Sequence, residues 1–477
     1  MTQLQAARAG RITVEMAIVA AREGVTPESI RDGVARGRIV IPANVRHLAG
    51  SGGRAAPPPS ERATAESLAA AARPRRTVAE RRAWLDGSTL AGERAPRRLE
   101  PVGIGRALST KVNANLGASP LASDAAGELR KLRTALLYGA DCVMDLSTGG
   151  DLDACRQLMV DHSPVPVGTV PIYSMIVGRS IEELDVDTML RTIERQAQQG
   201  VDFFTIHAGL RRAHLPLLAR RTQGIVSRGG ALLAQWMTYH GRENPLYERF
   251  DDISAILREY DVTYSLGDGL RPGCLADAGD PAQLAELREL AELVQRARDA
   301  GVQVMVEGPG HVPLNEVAFH IETQRRLCDD APFYVLGPVV TDVFPGFDHI
   351  TSAIGASEAA RAGAALLCYV TPREHVGLPD EDDVRLGCIA YRIAAHAGDV
   401  ARGVPGAAEW DHDMARARAA LDWPRQFALA FEGEYARALR DAQLPADAPY
   451  CSMCGRDWCS QRLSRELRAD CLAPAPP

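Results

Sequence analysis

From about residue 101 to 400 the chain alternates between two patterns. Short β-rich apolar runs end in glycine, proline or a polar residue, and between them lie longer stretches whose apolar positions recur at helical spacing. Nine runs read as strands: KVNANLG (111–117), CVMDLSTGG (142–150), VGTVPIY (167–173), VDFFTIHAG (201–209), GIVSRGG (224–230), VTYSLGDG (262–269), VQVMVEGPG (302–310), FYVLGP (333–338) and ALLCYVTP (365–372). Residues 181–199 and 281–300 are examples of the intervening amphipathic helices. Repeated βα units predict a parallel sheet. About eight repeats over roughly 300 residues fit a closed (β/α)8 barrel of the TIM type better than an open sheet. One of the nine runs is therefore an edge piece or a loop.

The flanks read differently. Residues 1–49 predict two short helices, 13–23 and 26–36, leading into an extended IVIPAN. Residues 50–100 are rich in Ala, Gly, Pro and Arg, with ten Arg against five acidic residues between Ser51 and Arg98. Their one aromatic, Trp84, does not make the stacking platform an RNA-binding arm needs, so the segment reads as a solvated insertion or linker. Residues 101–400 are the expected catalytic barrel. Residues 401–477 become helical, interrupted at Pro424 and Gly433, and end in a cysteine motif.

Composition narrows the class. A chain of 477 residues that is 46% hydrophobic is not disordered, and its 42 Gly and 30 Pro follow no collagen-like period. The net charge of −7 gives no basic field to attract nucleic acid or a membrane surface. The longest apolar runs, such as 364–370, fall short of the roughly 20 residues a spanning helix needs. Arg8, Arg11, Glu15 and Arg22 interrupt the apolar start, so no export signal forms. The expected location is cytoplasmic. Seven of the ten cysteines show no pairing pattern, which suits a reducing compartment.

Polar residues gather where the strand-like runs end: Asn115, Asp145, His207, Ser227, Arg228, Asp268, Arg271, Glu307 and His311. In a barrel these ends open onto one face, so they predict a shared pocket. No GxGxxG follows a first strand and no GxxxxGK[ST] occurs, which argues against a nucleotide fold. SRG (227–229) and DGLR (268–271) are candidate anion grips, since arginine offers a fixed fork of donors and glycine lets backbone N–H groups approach. An ion pair at the barrel lip is the alternative reading. Glu307, Asp145 and Tyr173 suit positioning or proton movement, but spacing assigns none of them a role.

Cys451, Cys454 and Cys459 form a C-x2-C-x4-C motif with Gly455 permitting a tight turn. Three thiolates suit a [4Fe–4S] cluster with one iron left open; a zinc knuckle with Cys471 as fourth ligand is the alternative. His311 in EGPGHVP and His375 in TPREHVG follow strand ends, where a pair of imidazoles suits Zn2+ or Fe2+. A single histidine is more often structural, and that applies to His207 and His349 as well.

These segments together resemble one family. TQLQAARAG, KVNANLG, MDLSTGGDLD, VPVGTVPIY, FFTIHAG, GIVSRGG, SLGDGLRPG, VMVEGPGHVPLNE, DHITSAIGA, CYVTPREHVGLP and CSMCG are similar to motifs of the phosphomethylpyrimidine synthase (ThiC) family of thiamine biosynthesis. The resemblance covers essentially the whole chain except 50–100. It implies a radical S-adenosylmethionine enzyme that rearranges 5-aminoimidazole ribotide to 4-amino-5-hydroxymethyl-2-methylpyrimidine phosphate, releasing formate and carbon monoxide. Cys451, Cys454 and Cys459 would hold the [4Fe–4S] cluster, whose open iron binds S-adenosylmethionine; reduction then yields methionine and a 5′-deoxyadenosyl radical. The implied substrate contacts are Asn115, Met144, Tyr173, His207, Ser227, Arg228, Gly229, Asp268, Gly269, Leu270, Arg271, Glu307 and Tyr334, with Glu307 catalytic. His311 and His375 would ligate zinc or Fe2+, and His349 would be structural. The resemblance further implies a homodimer with exchanged cluster domains and an electron donor such as flavodoxin or ferredoxin.

The paralogous 5-hydroxybenzimidazole synthase uses the same substrate, cluster and radical, and these motifs do not separate the two. Three departures stand out. DVFPGFDH replaces DIAPGYDH, so Phe344 and Phe347 are expected to reshape a pocket wall. GRDWC replaces GPKFC with the cysteine spacing kept, and the segment 50–100 has no recognised counterpart.

Overall fold

Eight of the nine expected strands form, and they close a parallel barrel in chain order. They are β1 (Lys111–Leu116), β2 (Cys142–Asp145), β3 (Val167–Thr169), β4 (Phe203–Ile206), β5 (Thr263–Leu266), β6 (Val304–Gly308), β7 (Phe333–Leu336) and β8 (Leu366–Cys368), with β8 pairing back onto β1. The computed structural model describes residues 1–50, 75–87, 99–122, 124–445 and 448–472, with Leu68 and Ala72 besides; the side chains of 468–472 are not among them. Helices cover the barrel outside and side chains fill it inside, so the strands are buried on both faces. Register sets Asn115 opposite Met144 and Glu307 opposite Tyr334.

The ninth run, GIVSRGG, is a loop and a helix start. Gly224 takes a left-handed turn at φ 64°, and Ser227 caps the helix Arg228–His240 by accepting the Gly230 N–H at 3.2 Å. Capping also sets the other boundaries. Thr13 and Thr26 cap Val14–Glu23 and Pro27–Ala35, and Asp280 caps Pro281–Asp299. The expected helix over 181–199 is split, because Asp185 caps Val186–Gln199 and leaves only a 3-10 turn, Ile181–Glu183, before it. Pro424 and Gly433 open helices instead of breaking one: Trp423–Leu429 carries Pro424 in its first turn, and Gly433–Asp441 begins at the glycine.

The N-terminal segment has its own apolar cluster, including Met16, Val19, Ile30, Val34 and Ile41. It is pinned to residues that precede strands, at the end of the barrel away from the predicted pocket. Asn44 N–H donates to Asp202 Oδ1 at 2.9 Å, His47 Nδ1 lies 2.7 Å from Asp202 Oδ2, and Ile41 exchanges two hydrogen bonds with the Gln303 amide. Burial opposes charge on His47, but Asp202 outweighs it and raises the imidazole pKa.

The chain divides into two compact units, one of 1–73 with 92–402 and the other of 74–91 with 403–477. Within the segment read as a linker, the helix Val78–Gly87 belongs to the second unit, where Val78 N–H donates to the Phe431 carbonyl at 2.7 Å. Most of the remaining residues of 50–100 lie outside the described ones. Among the described residues no helix is long and apolar enough to cross a membrane.

Candidate active site

A cavity of about 420 Å³ opens at the C-terminal ends of the strands. Asn115, Met144, Tyr173, His207, Ser227, Arg228, Asp268, Arg271, Glu307 and Tyr334 all line it. Gly229, Gly269 and Leu270 do not. The glycines act by close approach: a Cβ on Gly229 would sit 2.4 Å from His207 Cε1, and one on Gly230 would sit 2.3 Å from the Gly269 carbonyl oxygen. Asp145 and His311, expected in the same pocket, are not among its lining residues. Asp145 instead accepts the Ser147 N–H at 3.0 Å, bound into its own turn. Lining residues that the sequence pattern did not single out include Lys131, Thr205, Cys368 and Glu374. Thr205 was findable, since it lies two residues before His207 and alternation puts both on one face.

The charged groups hold one another. Glu307 Oε1 accepts from Thr205 Oγ1 at 2.6 Å and Ser265 Oγ at 2.8 Å. Burial raises the Glu307 pKa, against the pull of those two hydrogen bonds. Asp268 is also raised by burial; Oδ1 meets Arg271 Nη1 at 3.1 Å, while Oδ2 is buried without a hydrogen-bond partner. Burial works against charge on Arg271, yet Asp268 and Glu307 more than offset it and keep the guanidinium cationic. Burial also pushes His207 down to about 3, so its imidazole is neutral at pH 7. Its Nε2 stands 3.1 Å from Ser227 Oγ. Because that oxygen accepts from Gly230 N–H, its own proton is available to His207 Nε2.

Towards the other side, Arg228 lies over the Tyr173 ring at 4.8 Å. Asn113 donates to Tyr334 Oη at 2.7 Å and to Asn115 Oδ1 at 2.9 Å, and Asn115 donates to Cys368 Sγ at 3.0 Å. Burial pushes the Cys368 thiol up to about 12, so it stays protonated. The cavity thus joins two arginines, a neutral imidazole, buried carboxyls and the Asn115 amide.

His311 and His375 face each other with ring centroids 5.4 Å apart. His375 Nδ1 is 2.8 Å from Asp348 Oδ1, which leaves Nε2 free to ligate in the manner of carboxylate-oriented metal histidines. Burial and then His375 lower the His311 pKa, favouring the neutral form that binds metal. Asp348, and not its neighbour His349, makes this contact. Among the described residues no three His, Cys, Asp or Glu side chains are gathered into a metal-holding group, at this pair or elsewhere.

Cys451, Cys454 and Cys459 are free, half-buried thiols around a turn that reverses at Gly455, φ 64°. Three thiols at C-x2-C-x4-C spacing beside a left-handed glycine have the donor chemistry an iron–sulfur cluster needs, although in this structure they are not gathered into a metal-holding group. The side chain of Cys471 lies outside the described residues. Phe344 and Phe347, expected in a pocket wall, are instead 52% and 59% exposed and do not line the cavity.

The radical SAM ThiC family model matches residues 2–54 and 64–466. The chain belongs to that family. As a radical SAM ThiC enzyme it is 54% identical over 475 residues to the phosphomethylpyrimidine synthase of Haloarcula marismortui, covering 98% of this chain and 89% of that one. The phosphomethylpyrimidine synthases of Halobacterium salinarum and Natronomonas pharaonis are 52% and 54% identical with the same coverage. The family match also corrects the expectation for 50–100: it resumes at residue 64, so much of that segment has counterparts in other ThiC enzymes. Of the solved structures, the dihydropteroate synthases of Xanthomonas albilineans and Yersinia pestis each superpose with a TM-score of 0.37, at 12% and 11% identity. They cover 62% of this chain and 94% and 93% of their own, too distant to bear on the site.

Proposed function

We propose that this ThiC enzyme converts 5-aminoimidazole ribotide to 4-amino-5-hydroxymethyl-2-methylpyrimidine phosphate, with formate and carbon monoxide released. The observation that carries the reading is the single cavity in which the strand ends bring Arg228, Arg271, His207 and Glu307 together, in a chain 52–54% identical to relatives named phosphomethylpyrimidine synthase. Membership of a radical SAM family brings S-adenosylmethionine and an iron–sulfur cluster, which when bound to Cys451, Cys454 and Cys459 supplies a 5′-deoxyadenosyl radical for hydrogen abstraction.

The residues of the chain do the rest. Arg271, kept cationic by Asp268 and Glu307, and Arg228 beside Tyr173 bind the anionic end of the ribotide. Neutral His207 offers a hydrogen bond without adding charge. Glu307, steadied by Thr205 and Ser265 and raised by burial, holds or accepts a proton as the imidazole ring is rebuilt. His311 and His375 hold zinc or Fe2+ at the edge of the site. The enzyme works in the cytoplasm as a homodimer with exchanged cluster domains, reduced by a flavodoxin or ferredoxin.

Anaerobic turnover of the reconstituted protein with ribotide and S-adenosylmethionine, followed by mass identification of the product, tests the reading. The pyrimidine phosphate with one formate is expected. 5-Hydroxybenzimidazole would move the chain to the paralogous activity, and unconsumed ribotide would overturn both.

A further inference from the structure

Behind the cavity wall, Arg221 spends all five of its N–H donors. Its Nε and Nη2 clasp Asp280 at 2.7 and 2.9 Å, Nη1 reaches the carbonyls of Gly224 at 3.0 Å and Arg271 at 3.4 Å, and Nη2 also reaches the carbonyl of Leu270. The side chain is 1% exposed and is not part of the cavity lining. Its carbonyl acceptors come from two different loops. Gly224 begins the loop that carries Ser227 and Arg228, whereas Leu270 and Arg271 belong to the turn that carries Asp268.

The same two loops are fastened from the helix Pro281–Asp299 and the turn before it. Asp277 accepts the N–H groups of Thr222 and Gln223 at 2.8 and 3.0 Å, and Glu286 accepts that of Leu270 at 2.7 Å. Asp280 caps the helix while it holds Arg221. Where the loops meet, the backbones of Gly230 and Gly269 pack directly on each other: a Cβ on Gly230 would lie 2.3 Å from the Gly269 carbonyl oxygen, and one on Gly269 3.3 Å from Gly230 Cα. Lysine has no counterpart to this geometry, since its three donors radiate from one point and cannot bridge a carboxylate and three carbonyls.

We propose that Arg221 is a positioning residue, which sets the separation of Ser227 and Arg228 from Asp268 and Arg271 and thereby the affinity of the cavity for the anionic end of its substrate. The identity of that substrate rests on the function proposed above; the coupling of the two loops does not. The grips hold a part of the ribotide that does not react, so loosening them weakens ground state and transition state alike and raises KM with little change in kcat.

The test uses Arg221→Lys in the full-length reconstituted enzyme, with Asp280→Asn as a second variant carrying the same readouts if the first fails to fold. Asparagine can still cap the helix but cannot supply the charge-paired clasp. Hydrogen exchange by mass spectrometry follows segments 224–231 and 267–272, and steady-state kinetics follow KM and kcat for ribotide. Both segments are expected to exchange roughly tenfold faster while the other strand ends are unchanged. KM is expected to rise roughly tenfold with kcat kept within about threefold. If only one segment loosens, or neither does, the coupling is wrong. If both loosen while KM stays put or kcat alone falls, Arg221 has no positioning role in binding. Wild-type enzyme that consumes no ribotide would sink the functional reading, and the exchange data would still decide the coupling.

Discussion

Gly229 packs against the cavity's imidazole, and Gly230 packs the loop that carries Arg228 against the turn that carries Arg271, neither with a side chain of its own. The Gly230→Ala methyl would meet a backbone carbonyl, which cannot rotate aside, so overpacking should cost about 1–3 kcal/mol. A thermal melt should show the loss, and ribotide should bind more weakly because the Gly269 turn is pushed. Gly229→Ala strikes the His207 ring, so its main effect should fall on binding. The two histidines make a different residue-scale prediction. If His311 and His375 share one metal, either alanine variant should release it and the double variant should add little, as read by elemental analysis. Additive losses of stability with metal content unchanged would show a purely structural pair. Asn115, His207, Asp268, Arg271 and Glu307 were legible as cavity-lining residues because they end apolar runs that share one barrel face, whereas Met144 and Tyr334 were named only through the family resemblance. Two residues that steady the site from outside the cavity lining, Ser265 and Asp348, were not legible: serine within a β run is commonplace, and Asp348 meets His375 only across a helix and a strand.

Among the elements, strands were easy to see and loops posing as strands were not. GIVSRGG resembles a strand because its first three residues are apolar, yet its Ser-Arg-Gly-Gly portion is a capping sequence that the apolar run masked. The helix Pro281–Asp299 also has a role that its amphipathic pattern conceals, since Glu286 reaches from it to the N–H of Leu270. Burial and then Asp268 push the Glu286 pKa from 4.5 up to about 8. A folded-state pKa above the unfolded one means that the folded protein binds the extra proton between those values. Its contribution to stability is therefore complete below pH 4.5 and lost as pH rises through about 8. Glu286→Gln keeps an acceptor for Leu270 and removes the titration. Denaturant unfolding at a series of pH values should show a shallower decline for the variant across that window. Parallel curves for the two proteins would mean that Glu286 does not titrate there.

At the scale of the molecule, the cavity and the cysteine motif belong to different compact units. Composition gave no hint that the helix Val78–Gly87 would join the second unit, because its partner Phe431 lies several hundred residues away along the chain. The proposed reaction makes a demand on the two units, since a carbon radical formed at the cluster must reach ribotide without meeting water. In the exchanged dimer proposed above, the cluster of one copy serves the barrel of the other. A chain with Cys454→Ala then retains a working barrel, and a chain with Glu307→Ala retains a working cluster. Mixed one to one with free subunit exchange, half the dimers are heterodimers, and each has one complete site of two. Activity should recover to about a quarter of wild type, since both subunits of a twofold dimer are equivalent. Differently tagged chains would establish that exchange has occurred, and each variant alone should be inactive. Exchange with no recovery of activity would assign each cluster to the barrel of its own chain.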